Sequence, residues 1–175
     1  IDAMGAREVV VFDHTFRTVN DAIIQSKGTR EPVKAVHNDY TDRSARQRVI
    51  DIMGDEQADA LLKTRFAIVQ TWRPINQAVM TEPFALADGR TIPNSNFVPV
   101  QRRYSYRTAE TYHISFDPSH LFYYLPEMSP EETYIFKVYD TDQGAGVRFT
   151  AHTAFDNPTP ELNARPRESV ESRAL

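Results

Sequence analysis

Val33-Lys34-Ala35-Val36-His37-Asn38-Asp39-Tyr40 runs directly into Thr41-Asp42-Arg43-Ser44-Ala45-Arg46-Gln47-Arg48-Val49-Ile50, and the hydrophobic period changes at the join. Before it, the chain reads as extended. After it, the apolar positions Ala45, Val49, Ile50 and Met53 recur at helical spacing, with Thr41 or Asp42 available as the N-cap. Gly54 interrupts this helix, and Asp55 can cap a second short one carrying Ala58, Leu61 and Leu62. After Lys63 the strand period returns. Phe66 to Trp72, Phe84 to Ala87, Thr111 to Phe116, His120 to Leu125, Tyr134 to Tyr139 and Val147 to Phe155 all read as strands. Asp88-Gly89, Pro93-Asn94 and Gly144-Ala145-Gly146 punctuate them. Upstream, Val9 to Phe12 reads as a short strand, and Gly28 and Pro32 mark a connection. Downstream, the proline-rich Asp156 to Pro166 reads as a loop, and Val170 to Leu175 as a strand just begun. A mainly β domain with one short helical insertion follows, a β-sandwich or jelly roll.

The 175 residues, 41% of them hydrophobic, suffice for a single domain with a real core. A net charge of −4 and a pI near 5.7 argue against a nucleic-acid partner. Arg43, Arg46 and Arg48 cluster, but Asp42 and Asp51 dilute them. No apolar run is long enough for a membrane helix. The absence of cysteine excludes disulfides, thiolate metal sites and thiol nucleophiles, and suits a reducing, cytoplasmic setting. Ile1 in first place makes the chain read as a fragment or a processed product.

Of the five histidines, only His37 has a carboxylate two residues away, Asp39. Residues i and i+2 of a strand share a face, so both side chains can enter one cavity. A third ligand from a distant strand would complete a facial triad of two imidazoles and a carboxylate, the geometry of iron(II) oxygenases. His152 is the best candidate, in the extended Arg148-Phe149-Thr150-Ala151-His152-Thr153-Ala154-Phe155. Retention of Asp39 disfavours a halogenase, which needs a small residue there. His14, His113 and His120 lack a carboxylate at ligand spacing and read as structural.

A co-substrate such as 2-oxoglutarate needs a fixed cation for its distal carboxylate, and the planar fork of arginine suits it. Arg167-Glu168-Ser169 places a guanidinium and a hydroxyl on one face of an extended segment; Arg173 and Glu171 fall on the same face. Arg167 with Ser169 is the favoured pair and Arg173 its competitor. Gln70, Trp72 and Arg73 are further pocket candidates, while Trp72, Tyr123 and Tyr124 also read as core filling.

Val36-His37-Asn38-Asp39-Tyr40-Thr41, Val69-Gln70-Thr71-Trp72-Arg73-Pro74 and Phe136-Lys137-Val138-Tyr139-Asp140 resemble motifs of one family. So do Arg148 to Asp156 and Pro166-Arg167-Glu168-Ser169-Val170-Glu171-Ser172-Arg173. The chain resembles the AsaB/NvfI-like hydroxylase/desaturase family, to which fungal gibberellin desaturase and cephalosporin methoxylase-type proteins are similar. The resemblance implies a double-stranded β-helix (cupin-like jelly roll) oxygenase using Fe(II), 2-oxoglutarate and dioxygen, with His37, Asp39 and His152 as ligands. It also implies secondary metabolism, a longer N-terminal part before Val9, and therefore a single oxygenase domain over 1–175 that lacks that part.

The expected function is hydroxylation or desaturation of a small organic metabolite, a terpenoid or polyketide by family analogy, with a homodimer as the candidate assembly. A metal-dependent cupin-like isomerase or hydrolase, and a non-catalytic truncated β-sandwich binding module, are the alternatives.

Overall fold

The computed structural model describes residues 2–103, 108–158 and 164–175. Its strands are β1 (Val11–Thr18), β2 (His37–Asn38), β3 (Ala67–Pro74), β4 (Phe84–Ala87), β5 (Phe97–Arg103), β6 (Thr108–Ile114), β7 (Phe122–Tyr124), β8 (Tyr134–Asp140), β9 (His152–Ala154) and β10 (Glu168–Ala174). Three α-helices join them: α1 (Asp21–Lys27), α2 (Asp42–Met53) and α3 (Asp55–Leu61).

One sheet has the order β1-β10-β3-β8 and the other β5-β6-β2-β9-β4-β7; every pairing is antiparallel. Among the described residues, only β5 and β6 are neighbours in both sequence and space. Strands from the two ends of the chain therefore interleave, which makes this a jelly roll rather than a series of hairpins.

Between the sheets lies the main core, with Ile68, Trp72, Phe84, Phe136 and Val138 as its centre. On β3 the burial alternates: Ile68, Gln70, Trp72 and Pro74 face inward, while Val69 and Thr71 are half-buried. Trp72 stacks on Phe84, ring centroids 4.8 Å apart. Each such fully buried large apolar side chain contributes about 1.5–3 kcal/mol. Ala45, Val49 and Ala58 bring α2 and α3 onto this core. A smaller cluster, Ala87, Ile92 and Ala151, packs with Val36, Phe97 and Ile114.

The capped helix after Tyr40 forms as the sequence suggests, through a capping box. Thr41 Oγ1 accepts from the Ser44 amide, and Ser44 Oγ accepts from the Thr41 amide. Asp55 does not cap α3; Gly54 holds that position, with no side-chain cap.

Several boundaries differ from the periodicity reading. β1 runs to Thr18, well beyond Phe12, because its inward residues Asp13, Thr15 and Arg17 are polar and break the apolar pattern. α1 replaces part of the expected connection, with Asn20 Oδ1 capping it and Gly28 closing it in the left-handed conformation (φ 62°). β5 carries Pro99 at the edge of its sheet, where a missing donor is tolerated. Only His152–Ala154 of Val147 to Phe155 is strand. Tyr123 and Tyr124 are exposed rather than core, since β7 is the other edge of that sheet. Residues 159–163 of the expected proline-rich loop lie outside the described residues. Among the described residues no helix is long and apolar enough to cross a membrane.

Candidate metal centre

β2 is only two residues long, yet it sets the site. His37 is paired with His113 of β6 on one side and with His152 of β9 on the other. Directly opposed residues of antiparallel strands project from the same face, so the rings of His37 and His152 meet, centroids 4.5 Å apart. Asp39 follows one residue beyond the strand and returns to that face. Asn38 between them points away and is fully buried. Its Nδ2 donates to the carbonyls of Tyr40 (2.7 Å) and Val138 (2.8 Å), pinning the backbone that carries Asp39.

One nitrogen from each imidazole and one Asp39 oxygen lie within 4.8 Å of one another. The other atoms of these groups are already engaged. His37 Nδ1 lies 2.8 Å from the Ala35 carbonyl and His152 Nδ1 3.0 Å from that of Thr150. A carbonyl can only accept, so the proton sits on Nδ1 and the Nε2 lone pair is left for a metal. Asp39 Oδ2 accepts from Arg173 Nε at 2.8 Å, while Oδ1 stands 3.6 Å from His37 Nε2. The rings of Phe84 and Phe136, 5.4 and 5.2 Å from His152, hold its imidazole in place.

Electrostatics favour the same protonation states at His37 and Asp39. Burial, aided by neighbouring His152, pushes the His37 pKa down to about 4, against the pull of Asp39. Burial alone would raise the Asp39 carboxyl, but Arg173 and the two imidazoles outweigh it and hold the group well below the usual range. Neutral imidazoles with free Nε2 and an ionised carboxylate form a donor set suited to iron(II), and small side-chain rotations would close it on an ion.

The two expected arginines occupy different surroundings. Arg173 donates to Asp39, to Asp13 (2.5 Å) and to Glu171 (2.9 Å), and Glu171 also pairs with Arg17. Burial would lower its pKa, but Asp39 and Glu171 outweigh it and raise the group. Arg167, 1% exposed, donates Nε to Ser169 Oγ at 3.1 Å and Nη1 to the Glu82 carbonyl at 2.6 Å. Its guanidinium lies 5.0 Å over the Trp72 ring. Among the described residues it forms no ion pair, and burial lowers its pKa to about 10, so it remains a cation at neutral pH.

A narrow cavity joins this arginine to the histidines, lined by Arg17, His37, Phe84, His152, Arg167 and Glu171. A second cavity of about 800 Å³ opens past His37, Asp39 and Arg173 towards Tyr40, Arg48 and Thr111. That volume is in the range of pockets for small organic ligands.

The structure thus brings His37, Asp39 and His152 together, sets Arg167 with Ser169 beside them, and places Arg173 on Asp39 itself. Asp13 and Arg17 were missed by the sequence reading, although their alternation with Thr15 is a strand signal. Arg73 is exposed, and Gln70 and Trp72 are buried on the inner face of β3. His14 bonds to Ser172 at 2.8 Å on an exposed face, and His120 to Asn96 at 3.0 Å, away from the triad.

The family model for the oxidoreductase/YMDC permease-like domain matches residues 1–175. The chain is 35% identical over 174 residues to the Fe(II)/2-oxoglutarate-dependent dioxygenase nvfI of Aspergillus novofumigatus, covering 98% of this chain and 60% of that protein. It is 32% identical over 139 residues to the hydroxylase/desaturase asaB of Aspergillus flavus, covering 71% of this chain and 61% of the relative. Among solved structures it is similar to the iron and alpha-ketoglutarate-dependent endoperoxidase NvfI, with a TM-score of 0.89 and 32% identity. That match covers 98% of this chain and 62% of the other. The chain therefore spans about three fifths of the length of these relatives.

Proposed function

Because the chain belongs to the oxidoreductase/YMDC permease-like domain family, within the AsaB/NvfI-like hydroxylases/desaturases, we propose that it is the metal- and co-substrate-binding domain of an iron(II)/2-oxoglutarate oxygenase. In this reading residues 1–175 form one oxygenase domain acting on a C–H bond of a small organic metabolite. The observation that carries it is the convergence of one nitrogen from each imidazole and one carboxylate oxygen within 4.8 Å, beside a buried arginine that forms no ion pair among the described residues.

His37, Asp39 and His152 would hold the iron. Iron(II) held there would supply, with 2-oxoglutarate and dioxygen as co-substrates, the power to oxidise a C–H bond. The protein's own contribution is ligation, orientation and exclusion of water. The Ala35 and Thr150 carbonyls fix both imidazole tautomers, and Arg173 keeps Asp39 ionised and turned. Arg167 with Ser169 would receive the distal carboxylate of 2-oxoglutarate, and the narrow cavity of about 10 Å³ beside Arg167 would widen to admit it. Arg173 is ill placed for that task, since three carboxylates already saturate it. The larger cavity beside His37 and Asp39 would take the organic substrate, of the terpenoid or polyketide kind.

Anaerobic titration of the metal-free protein with iron(II), then 2-oxoglutarate, tests this. A weak visible charge-transfer band that requires both additions is expected. Iron binding without the band would favour a cupin-like isomerase or hydrolase; no iron binding would leave a binding module.

A further inference from the structure

Gln70 is fully buried, yet neither its Nε2 nor its Oε1 has a hydrogen-bond partner among the described residues. A primary amide sealed from water without partners is destabilising, because it gives up its hydrogen bonds to water for none in return. Its place in the sheet shows what could satisfy it. On the inner face of one sheet, Arg173, Gln70 and Phe136 form a single row across β10, β3 and β8. Arg173 reaches across to Asp39 and Phe136 packs against His152, both carried by the facing sheet. Gln70 stands between them in the row, facing the sheet that carries Asp39 and His152.

The ligands do not need this amide. The spare atoms of His37, His152 and Asp39 are already held by Ala35, Thr150 and Arg173. The group left for Gln70 is one the metal itself carries. We infer that the side-chain amide of Gln70 donates a hydrogen bond to the metal-bound, keto acid end of the co-substrate, at the opposite end from Arg167. This rests on the function proposed above. It makes Gln70 a residue that is unsatisfied in the metal-free protein and satisfied on loading.

Gln70→Met, close in volume and without a donor, tests it, with Gln70→Leu as a second variant should the first not fold. The affinity for 2-oxoglutarate of the iron(II)-loaded protein is read from the visible band, and the thermal stability of the metal-free protein is measured alongside. A charge-assisted bond predicts affinity about 10- to 100-fold weaker, iron(II) affinity unchanged because Gln70 hydrogen-bonds to none of the ligands, and a metal-free protein no less stable than wild type. Unchanged 2-oxoglutarate affinity in a variant that shows the band would overturn the inference while leaving the oxygenase reading intact. A less stable metal-free variant would overturn it too, by showing that the fold already satisfies the amide. No band in the wild type would overturn both.

Discussion

His37 and His152 are direct cross-strand partners, 115 positions apart in the chain, with ring centroids 4.5 Å from each other. His37 has a second histidine partner, His113, on its other side. The two neighbours differ in what they can do: only the His152 side also carries Asp39 within ligand distance.

His152→Ala should therefore abolish measurable iron(II) binding, a loss beyond the 10- to 100-fold (roughly) typical of outer-shell partners. His113→Ala should change iron affinity by no more than a few-fold. Anaerobic calorimetric titration of the two variants checks this, and equal losses would mean that the ladder, not the ligand, was damaged.

Arg173→Met and Arg167→Met should separate stability from co-substrate binding. Removing Arg173 leaves Asp13, Asp39 and Glu171 without their shared guanidinium, which should cost about 3–5 kcal/mol of stability in urea unfolding. Removing Arg167 breaks no ion pair among the described residues, so the larger effect should fall on 2-oxoglutarate affinity, about 10- to 100-fold weaker. The reverse pattern would make Arg173 the anchor.

Asn38→Leu should destabilise the domain through the two carbonyls it strands, those of Tyr40 and Val138, at about 1–3 kcal/mol for each. Iron affinity should fall as well, because the backbone carrying Asp39 is released. Urea unfolding and iron titration of the same preparation give both numbers.

The metal-free protein should lose stability on acidification. His37 titrates at about 4 when folded, against about 6.5 unfolded, so the unfolded chain binds the extra proton between those values. Its contribution, about 3 kcal/mol at most, is fully present above pH 6.5 and lost as pH falls through 4. His37→Gln should flatten that part of the stability profile; an unchanged slope would place the titration elsewhere.

Much of the local geometry was legible in the residues. Thr41, Ser44 and the apolar spacing of Ala45 and Val49 specify a capped helix wherever the chain lies, because capping and helical period act within a few residues. The strand-length runs around Trp72 and Phe136 were legible for the same reason. β1 and β5 were harder to see. The inner face of β1 carries Asp13, Thr15 and Arg17, whose charges are neutralised by partners some 150 residues away, and β5 contains a proline that only an edge position accommodates.

The same division runs through the site. The i, i+2 spacing that gives His37 and Asp39 one face, and Arg167, Ser169, Glu171 and Arg173 another, was determined by the sequence itself, and the structure keeps both faces although Asp39 and Arg167 lie just beyond the ends of β2 and β10. The sequence also singled out His152 among the other four histidines, but its place against His37 and Asp39, and which arginine lacks a carboxylate partner among the described residues, were decided only by the tertiary structure. Sheet order puts β9 beside β2, and Arg173 meets Asp39 across 134 residues and Asp13 across 160. Alternation depends on the bond geometry of neighbouring residues, whereas metal convergence and charge neutralisation depend on strand register between distant segments, which no short stretch of sequence encodes.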